Sequence, residues 1–199
     1  VIGGFNLIVS RTGYTGEKMA FELFVHPERS VELWNTILKV GESFGVKAIG
    51  LGARDSLRTE AGLPLYGHEM GLGSGKLADR DLGVAEGGFG SYVKMYKPWF
   101  IGREAFVARE KERKGVVIRF TLDEQRTRMA HNGDPVVNAN GERIGFVTSC
   151  AIDGQRFITG QAFVELAYAK EGTPIGIHQG GVMDRPAGMA KVVSRFAKL

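Results

Sequence analysis

The chain has 199 residues, a formal net charge of +4 at pH 7 and a pI near 9.2. No apolar run reaches the roughly 20 residues that a membrane helix needs, so we predict no membrane span. Lysine and arginine are interleaved with acidic residues and form no concentrated patch. This pattern predicts no nucleic-acid partner and only a weak preference for an acidic protein.

The single cysteine, Cys150, excludes an internal disulfide and indicates a reducing compartment such as the cytoplasm, or the mitochondrial matrix in a eukaryote. The first ten residues lack the basic region and cleavage pattern of a signal peptide. Because the chain opens on Val1 and enters a hydrophobic run at Phe5, we expect a piece of a longer protein.

The N-terminal residues predict a β-hairpin. Hydrophobic runs at Phe5–Arg11 and Ala20–Val25 flank a turn at Thr12–Lys18 that contains two glycines. The alternation of a strand places Glu22 on the same face as Ala20 and Phe24, opposite the apolar face.

Three helices are predicted after the hairpin. Apolar residues at helical spacing between positions 31 and 38 indicate a helix that has Pro27 in its first turn and ends at Gly41 or Gly45. The other two are predicted at 53–61 and 100–114, the latter with an ion pair between Glu110 and Lys114. Between them, residues 70–90 contain seven glycines and little periodicity, which predicts an extended loop.

After Gly115 the sequence changes to short β runs at fairly even spacing. The six predicted strands are Val116–Leu122, Pro135–Val137, Arg143–Cys150, Phe157–Leu166, Pro174–His178 and Gly188–Val193. Six such strands with glycine punctuation predict a small antiparallel β-barrel. The fold class is therefore α+β, with a boundary near residue 112 between a strand-and-helix layer at 1–112 and the barrel at 113–199.

Glu22 is the first candidate for a functional residue. Its carboxylate lies either on the solvated side of a sheet or in a pocket, and the pattern leaves both open. In a pocket, an ionised carboxylate accepts two parallel hydrogen bonds from an amino-pyrimidine edge such as that of a pterin.

Arg54 and Arg58 lie one helical turn apart and therefore on one face. Two like charges at this spacing need compensation, which either Asp55 and Glu60 or an external anion could supply. We expect Arg58 to be a structural ion-pair member.

Several other patterns predict no catalytic or binding site. GLGSGK at 71–76 lacks the spacing, the following Ser or Thr and the preceding strand of a phosphate-binding loop. The four histidines show no metal-ligand spacing with one another or with Cys150, so we predict no metal site. His68 and Glu69 are expected to have a structural role in a turn, and Cys150 to be buried.

Four segments carry a family resemblance. They are SRTGYTGEKMAFEL at 10–23, GLGARDSLRTEAGLPLYGHEM at 50–70, FIGREAF at 100–106 and IGFVTS at 144–149. Together they resemble the glycine-cleavage T-protein family, the folate-dependent aminomethyltransferases. The first two segments have close variants in family proteins, in this order and at about this separation. The resemblance covers nearly the whole chain, which is similar to the C-terminal part of the family sequence: the end of the folate-binding region, described as a ferredoxin-like layer, and the terminal barrel.

The resemblance implies an activity and a set of binding residues. Family members transfer a methylene group to tetrahydrofolate from an aminomethyl group on the lipoyl arm of H-protein, and they release ammonia. By resemblance, Glu22 binds the folate pterin, Arg54 contacts folate or substrate, and Arg11 and Tyr14 shape the pocket wall. The family's catalytic aspartate lies upstream of the matching region. No residue of this chain is therefore expected to be catalytic, and the N-terminal half of the same protein is an expected partner.

The sequence also departs from the family pattern. VAEGGFGSYV at 84–93 replaces the usual Pro-x-Glu-Ala-Gly-Leu, and the tail SRFAKL has no counterpart of the family's folate-contacting tyrosine. The same fold serves folate-dependent demethylases, which are one alternative, and a non-catalytic folate-binding or scaffold module is another. The iron–sulfur repair branch is not indicated, because its KGCYxGQ signature is absent.

Overall fold

The computed structural model of the chain describes residues 2–73, 75–125, 127–183 and 187–196. Ser74 of the GLGSGK segment and the last three residues of the SRFAKL tail lie outside the described residues. The helices are α1 (Ser30–Gly41), α2 (Leu51–Glu60) and α3 (Arg103–Glu112). The strands are β1 (Leu7–Ser10), β2 (Glu22–Val25), β3 (Gly71–Leu72), β4 (Asp81–Leu82), β5 (Gly115–Gln125), β6 (Pro135–Val137), β7 (Arg143–Ile152), β8 (Phe157–Glu165), β9 (Pro174–Ile177) and β10 (Gly188–Val193).

The last six strands form a closed antiparallel barrel in the order β10-β5-β8-β7-β6-β9. Phe120, Val147, Ala162, Val164 and Ile177 have no exposed surface, and they belong to one apolar core cluster. Closure pairs every strand on both sides and leaves no open sheet edge. The predictions of a six-stranded barrel and of an α+β fold are therefore confirmed.

The predicted hairpin is also present. β1 pairs antiparallel with β2, and the register sets Leu7 opposite Val25 and Ser10 opposite Glu22. Helix α1 follows as predicted, and its apolar residues lie at helical spacing. Val31 and Trp34 are nevertheless 69% and 53% exposed, so this apolar face has little cover among the described residues.

Helix α2 connects the N-terminal elements to the barrel by polar contacts. The Nη2 of Arg58 donates to Ser149 Oγ in β7 at 2.7 Å, and the Nε2 of Gln161 in β8 donates to the Leu63 carbonyl at 2.9 Å. The Nη1 of Arg195 donates to the Gly62 carbonyl at 2.7 Å. Helix α2 is therefore bonded to the barrel through Ser149, and the turn after it is held by Gln161 of the barrel and by Arg195, which follows the last barrel strand.

Two predictions about the middle of the chain are wrong. Residues 70–90 are not an extended loop, since they contain the small β3–β4 sheet and bury Leu77 and Leu82. Their glycines permit tight turns that hold this sheet together, so low periodicity did not mean absence of structure. Helix α3 ends at Glu112, which leaves Lys114 outside it, and Glu110 pairs with Arg113 at 3.3 Å instead.

None of the helices in the described ranges combines the length and the apolar character that a bilayer span requires.

Candidate functional site

A cavity of about 400 Å³ lies between the turn of the hairpin and the start of α2. Its lining includes Tyr14, Glu22 and Arg54, three of the four residues proposed from the sequence, which come from separate elements. Arg11 is exposed and is not among the described residues that line the cavity. Its assignment to the pocket wall stays a prediction.

Glu22 is held at the mouth of this cavity by a short chain of hydroxyl groups. Thr12 Oγ1 donates to Glu22 Oε2, and Ser10 Oγ lies 2.9 Å from Thr12 Oγ1. Because the Thr12 proton is directed to the carboxylate, Ser10 is the donor to Thr12. No described group donates to Glu22 Oε1. The carboxylate is therefore oriented through one oxygen and has the other available to a ligand.

Tyr14 forms part of the wall, and its hydroxyl is already engaged. The phenol donates to the Pro64 carbonyl, which fixes the ring between the hairpin turn and the segment after α2. Burial raises the pKa of Tyr14, and Glu69 raises it further, while Arg58 and Arg54 lower it. The phenol therefore stays protonated at neutral pH and acts as a fixed surface of the cavity.

Arg54 lies in the first turn of α2 with its guanidinium carbon 4.6 Å from the centre of the Tyr14 ring. This cation–π contact positions the charge over the cavity wall. Neither predicted local partner compensates Arg54. Asp55 Oδ1 pairs with Arg58 at 2.6 Å, and Glu60 Oε1 accepts from the backbone of Gly154 at 3.3 Å. The Arg54 charge is thus free of a carboxylate partner within the described part of the chain.

Gly13 allows the turn to close over the cavity. A Cβ built on Gly13 would lie 2.4 Å from the Cβ of Ala20, which is closer than real Cβ contacts. Both residues line the cavity, so a larger residue at either position would push the turn away from Glu22.

Arg58 is a structural ion-pair member, as predicted, although its main partner was not foreseen. Its side chain is 1% exposed, and Nη1 lies 2.7 Å from Oε2 of Glu69, which is fully buried. The same oxygen accepts from the backbone of Leu65, and His68 Nδ1 lies 3.2 Å from Ser149 Oγ. This network fixes the turn that carries Pro64 and therefore supports Tyr14 from behind.

Two further residues missed from the sequence are Ser10 and Thr12, which orient Glu22. The register of the predicted hairpin could have identified Ser10, because in this register Ser10 lies directly opposite Glu22. Glu69 offered no such signal, since its partner Arg58 lies eleven positions away in another element.

Metal and thiol chemistry have no candidate in this part of the molecule. The described residues contain no group of three or more His, Cys, Asp or Glu side chains placed to hold a metal ion. Burial raises the pKa of the Cys150 thiol to about 11, so it remains protonated and unreactive at neutral pH.

Comparisons with known proteins show that the chain is similar to a class of transferases, the aminomethyltransferases. The model described as the GCVT N-terminal domain matches residues 1–95. The aminomethyltransferase of Alkaliphilus metalliredigens is 41% identical over 179 residues, which are 88% of this chain and 45% of that protein. The aminomethyltransferase of Desulfitobacterium hafniense strain DCB-2 is 43% identical over 148 residues, 74% of this chain and 38% of that protein.

A solved structure agrees in fold. The glycine cleavage system aminomethyltransferase T from Bartonella henselae superposes with a TM-score of 0.76 at 26% identity, over 94% of this chain and 48% of that one. The chain belongs to the glycine-cleavage T-protein family of aminomethyltransferases. It spans about half the length of the relatives that it matches.

Proposed function

We propose that this chain forms one wall of the folate pocket in a tetrahydrofolate-dependent aminomethyltransferase of glycine cleavage. The observation that carries the proposal is the oriented, half-occupied carboxylate of Glu22, which shares a cavity of about 400 Å³ with the unpaired Arg54. A planar amino-pyrimidine edge and a negatively charged or electron-rich group are the ligand features that these two side chains complement.

Each residue has a distinct task in this proposal. Glu22 accepts hydrogen bonds from the pterin edge through Oε1, while Thr12 keeps Oε2 in place. Arg54 supplies a positive charge to the same cavity, and the protonated Tyr14 beneath it forms a fixed part of the wall. Tetrahydrofolate itself accepts the one-carbon unit. The chain contributes by holding it in one orientation, which is a recognised source of rate enhancement.

We further propose that the N-terminal half of the same protein completes the site and supplies the catalytic aspartate of the family. Two observations support this. The chain spans about half of its relatives, and the apolar residues Phe24, Trp34 and Val40 of the hairpin and α1 are 57%, 53% and 66% exposed. On this proposal residues 1–112 complete the folate-binding region and 113–199 form the terminal barrel.

The donor in this proposal is an aminomethyl group on the lipoyl arm of an H-protein. The net charge of +4 suits an acidic partner of that kind. The single cysteine suits the cytoplasm, or the mitochondrial matrix in a eukaryote.

The proposal is tested by ammonia release from aminomethyl-loaded H-protein, with the chain and the N-terminal half of a homologous aminomethyltransferase supplied together. We expect release that depends on tetrahydrofolate. Glu22→Gln should lower kcat/KM for tetrahydrofolate about tenfold or more, because a charged hydrogen-bond acceptor becomes neutral.

Glu17→Gln is the matched control. Glu17 lies in the same turn, is exposed and is not among the described residues lining the cavity, so its loss should leave kcat/KM unchanged. Tetrahydrofolate binding without ammonia release, together with methyl transfer from another donor, would assign the demethylase activity instead. An equal effect of the two substitutions would contradict the proposed role of Glu22.

A further inference from the structure

A second cavity, of about 260 Å³, lies beside β5 and the end of β10. Two arginines line it, Arg119 from β5 and Arg195 two residues after β10. The remaining lining is largely aliphatic or backbone, with Gly88 on one side and the exposed Glu171 on another. The cavity is separate from the one that contains Glu22, because the two share no lining residue.

Neither arginine has a carboxylate partner in the described ranges. Arg195 donates to the Gln161 side chain at 2.7 Å and to the carbonyls of Gly62 and Gly87 at 2.7 and 3.1 Å, all of them neutral acceptors. Arg119 makes one long hydrogen bond, from Nη1 to the Ser194 carbonyl at 3.5 Å. The Nε of each arginine is buried and has no acceptor. Their hydrogen-bonding capacity is therefore only partly used.

The two guanidinium groups are also partly removed from water. Burial lowers the pKa of Arg195 to about 10; Glu69 acts against this shift, and the charge of Arg119 adds to it. Burial likewise lowers the pKa of Arg119, while Glu60 and Asp153 raise it without forming an ion pair. Both groups remain cationic at neutral pH. Two desolvated cations that face one cavity are unfavourable by themselves, and an anion between them relieves that cost.

The backbone leaves room beside Arg195. Gly88 has a φ of +88°, and a Cβ at this position would lie 3.0 Å from the Arg195 Nε and 3.4 Å from the Val117 carbonyl. A side chain at this position would therefore crowd the Arg195 side chain at the edge of the cavity.

We propose that this cavity is a binding site for a carboxylate group, with Arg119 and Arg195 as its ligands. The Nη2 of Arg119 has no acceptor among the described residues, and a guanidinium N–H of this kind donates to a carboxylate oxygen. The volume limits the ligand to a small group, such as a free dicarboxylate or a glutamyl residue.

The position of the cavity suggests two sources for that carboxylate. The carbonyl of Gly62 accepts from Arg195, and the carbonyl of Pro64 accepts from Tyr14. Two residues span at most about 7 Å, so one lining residue of each cavity is hydrogen-bonded to the same short segment. One source is a free dicarboxylate. The other is the glutamyl tail of a bound folate, and this second source rests on the function proposed above.

The primary test is calorimetric titration of sodium glutarate into the intact chain at fixed ionic strength. We expect Arg119→Gln to weaken binding about tenfold or more, because it removes a charged donor. Arg143→Gln is the control. Arg143 is exposed, donates only to the Gly145 carbonyl at 3.3 Å, and its loss changes the net charge equally. Equal weakening in both variants, or no glutarate binding by the folded wild type, would overturn the proposal.

A second variant distinguishes a cavity that binds an external carboxylate from one that is occupied by the carboxylate of Glu171 in the same chain. Glu171→Gln removes the one acidic side chain that lines the cavity in the described residues, so glutarate should bind the variant at least as tightly as the wild type. Binding that appears only in Glu171→Gln would overturn the proposal, since Glu171 would then be the occupant. Circular dichroism on each variant confirms that it is folded.

The source is identified with two folate compounds, one with and one without the glutamyl group. If the folate tail occupies the cavity, Arg119→Gln should weaken binding only of the glutamylated compound. If a free dicarboxylate is the ligand, Arg119→Gln should leave the affinity for both folate compounds nearly unchanged. The same substitution should strongly weaken the binding of glutarate. The glutarate titration does not depend on folate. It therefore still tests the carboxylate site if the folate proposal fails.

Discussion

The barrel and the hairpin–α1 region bury their apolar residues to very different extents. In the barrel, Phe120 and Val147 have no exposed surface, whereas Phe24 in β2 and Phe44 after α1 are 57% and 83% exposed. The barrel closes its own edges and encloses its own core, so it needs no further partner for stability. The hairpin and α1 have the same kind of side chains without an enclosing layer. Two of the candidate folate residues, Tyr14 and Glu22, belong to the hairpin, and Arg54 lies in α2.

The two regions are joined by polar contacts around the turn after α2. Arg58, Gln161 and Arg195 attach the turn after α2 to the barrel, and that turn holds Tyr14 through the Pro64 carbonyl. Tyr14, one of the candidate binding residues, is thereby positioned through contacts that reach the barrel. The exposed apolar surface of the hairpin and α1 is characteristic of an interaction site.

The largest expected effect compares one substitution in each region. Phe120→Ala should lower the free energy of unfolding by about 3–5 kcal/mol, because it leaves a cavity in a closed core. Trp34→Ala should change it by less than about 0.5 kcal/mol, because 53% of that side chain is already exposed. Urea unfolding followed by circular dichroism measures both. Similar losses would mean that α1 is as well packed as the barrel.

A smaller effect is expected at the junction of the two regions. Glu69→Gln should destabilise the chain by about 1–3 kcal/mol, because it removes the buried negative charge beside Arg58. Glu60→Gln is the control, since among the described residues Glu60 accepts one long hydrogen bond, from the Gly154 backbone N–H at 3.3 Å. The same unfolding experiment applies. If Glu69→Gln lowered the free energy of unfolding no more than Glu60→Gln does, the buried ion pair would not be what fixes the turn.

The smallest effect concerns Cys150 in the barrel. Its folded pKa of about 11 lies above the ordinary 9.0, so the folded state keeps the thiol proton while the unfolded state loses it. The stability contributed by this group is therefore complete below pH 9.0 and is lost as the pH rises toward about 11. Over that pH range, the Tm of the wild type should fall relative to the Tm of Cys150→Ala. A constant difference would mean that the thiol is accessible.

The sequence predicted the elements that depend on local periodicity. The hairpin, α1 and the barrel strands have apolar residues at periods of 2 or 3.6, and each was found where the pattern indicated. The folded segment at 70–90 was missed because its two short strands are set by tight turns rather than by periodicity. The contact of Arg58 with Ser149 joins residues 91 positions apart, and no local pattern encodes such a pairing.

The candidate site residues were chosen for a different reason. Glu22, Arg54 and Tyr14 were proposed from a family resemblance, and the structure brings all three to one cavity. Their electrostatic state could not be foreseen. That Asp55 pairs with Arg58 and leaves Arg54 unpaired depends on the direction of each side chain, which spacing along a helix does not determine.

Titration of 5-formyltetrahydrofolate into this chain, together with the N-terminal half of a homologous aminomethyltransferase, tests the proposed pocket most directly. Calorimetry should give binding that Glu22→Gln weakens by about 1.5–3 kcal/mol, the range for hydrogen bonds to a charged group, and that Glu17→Gln leaves unchanged. Equal affinity of the wild type and Glu22→Gln would contradict the assignment of this cavity to folate.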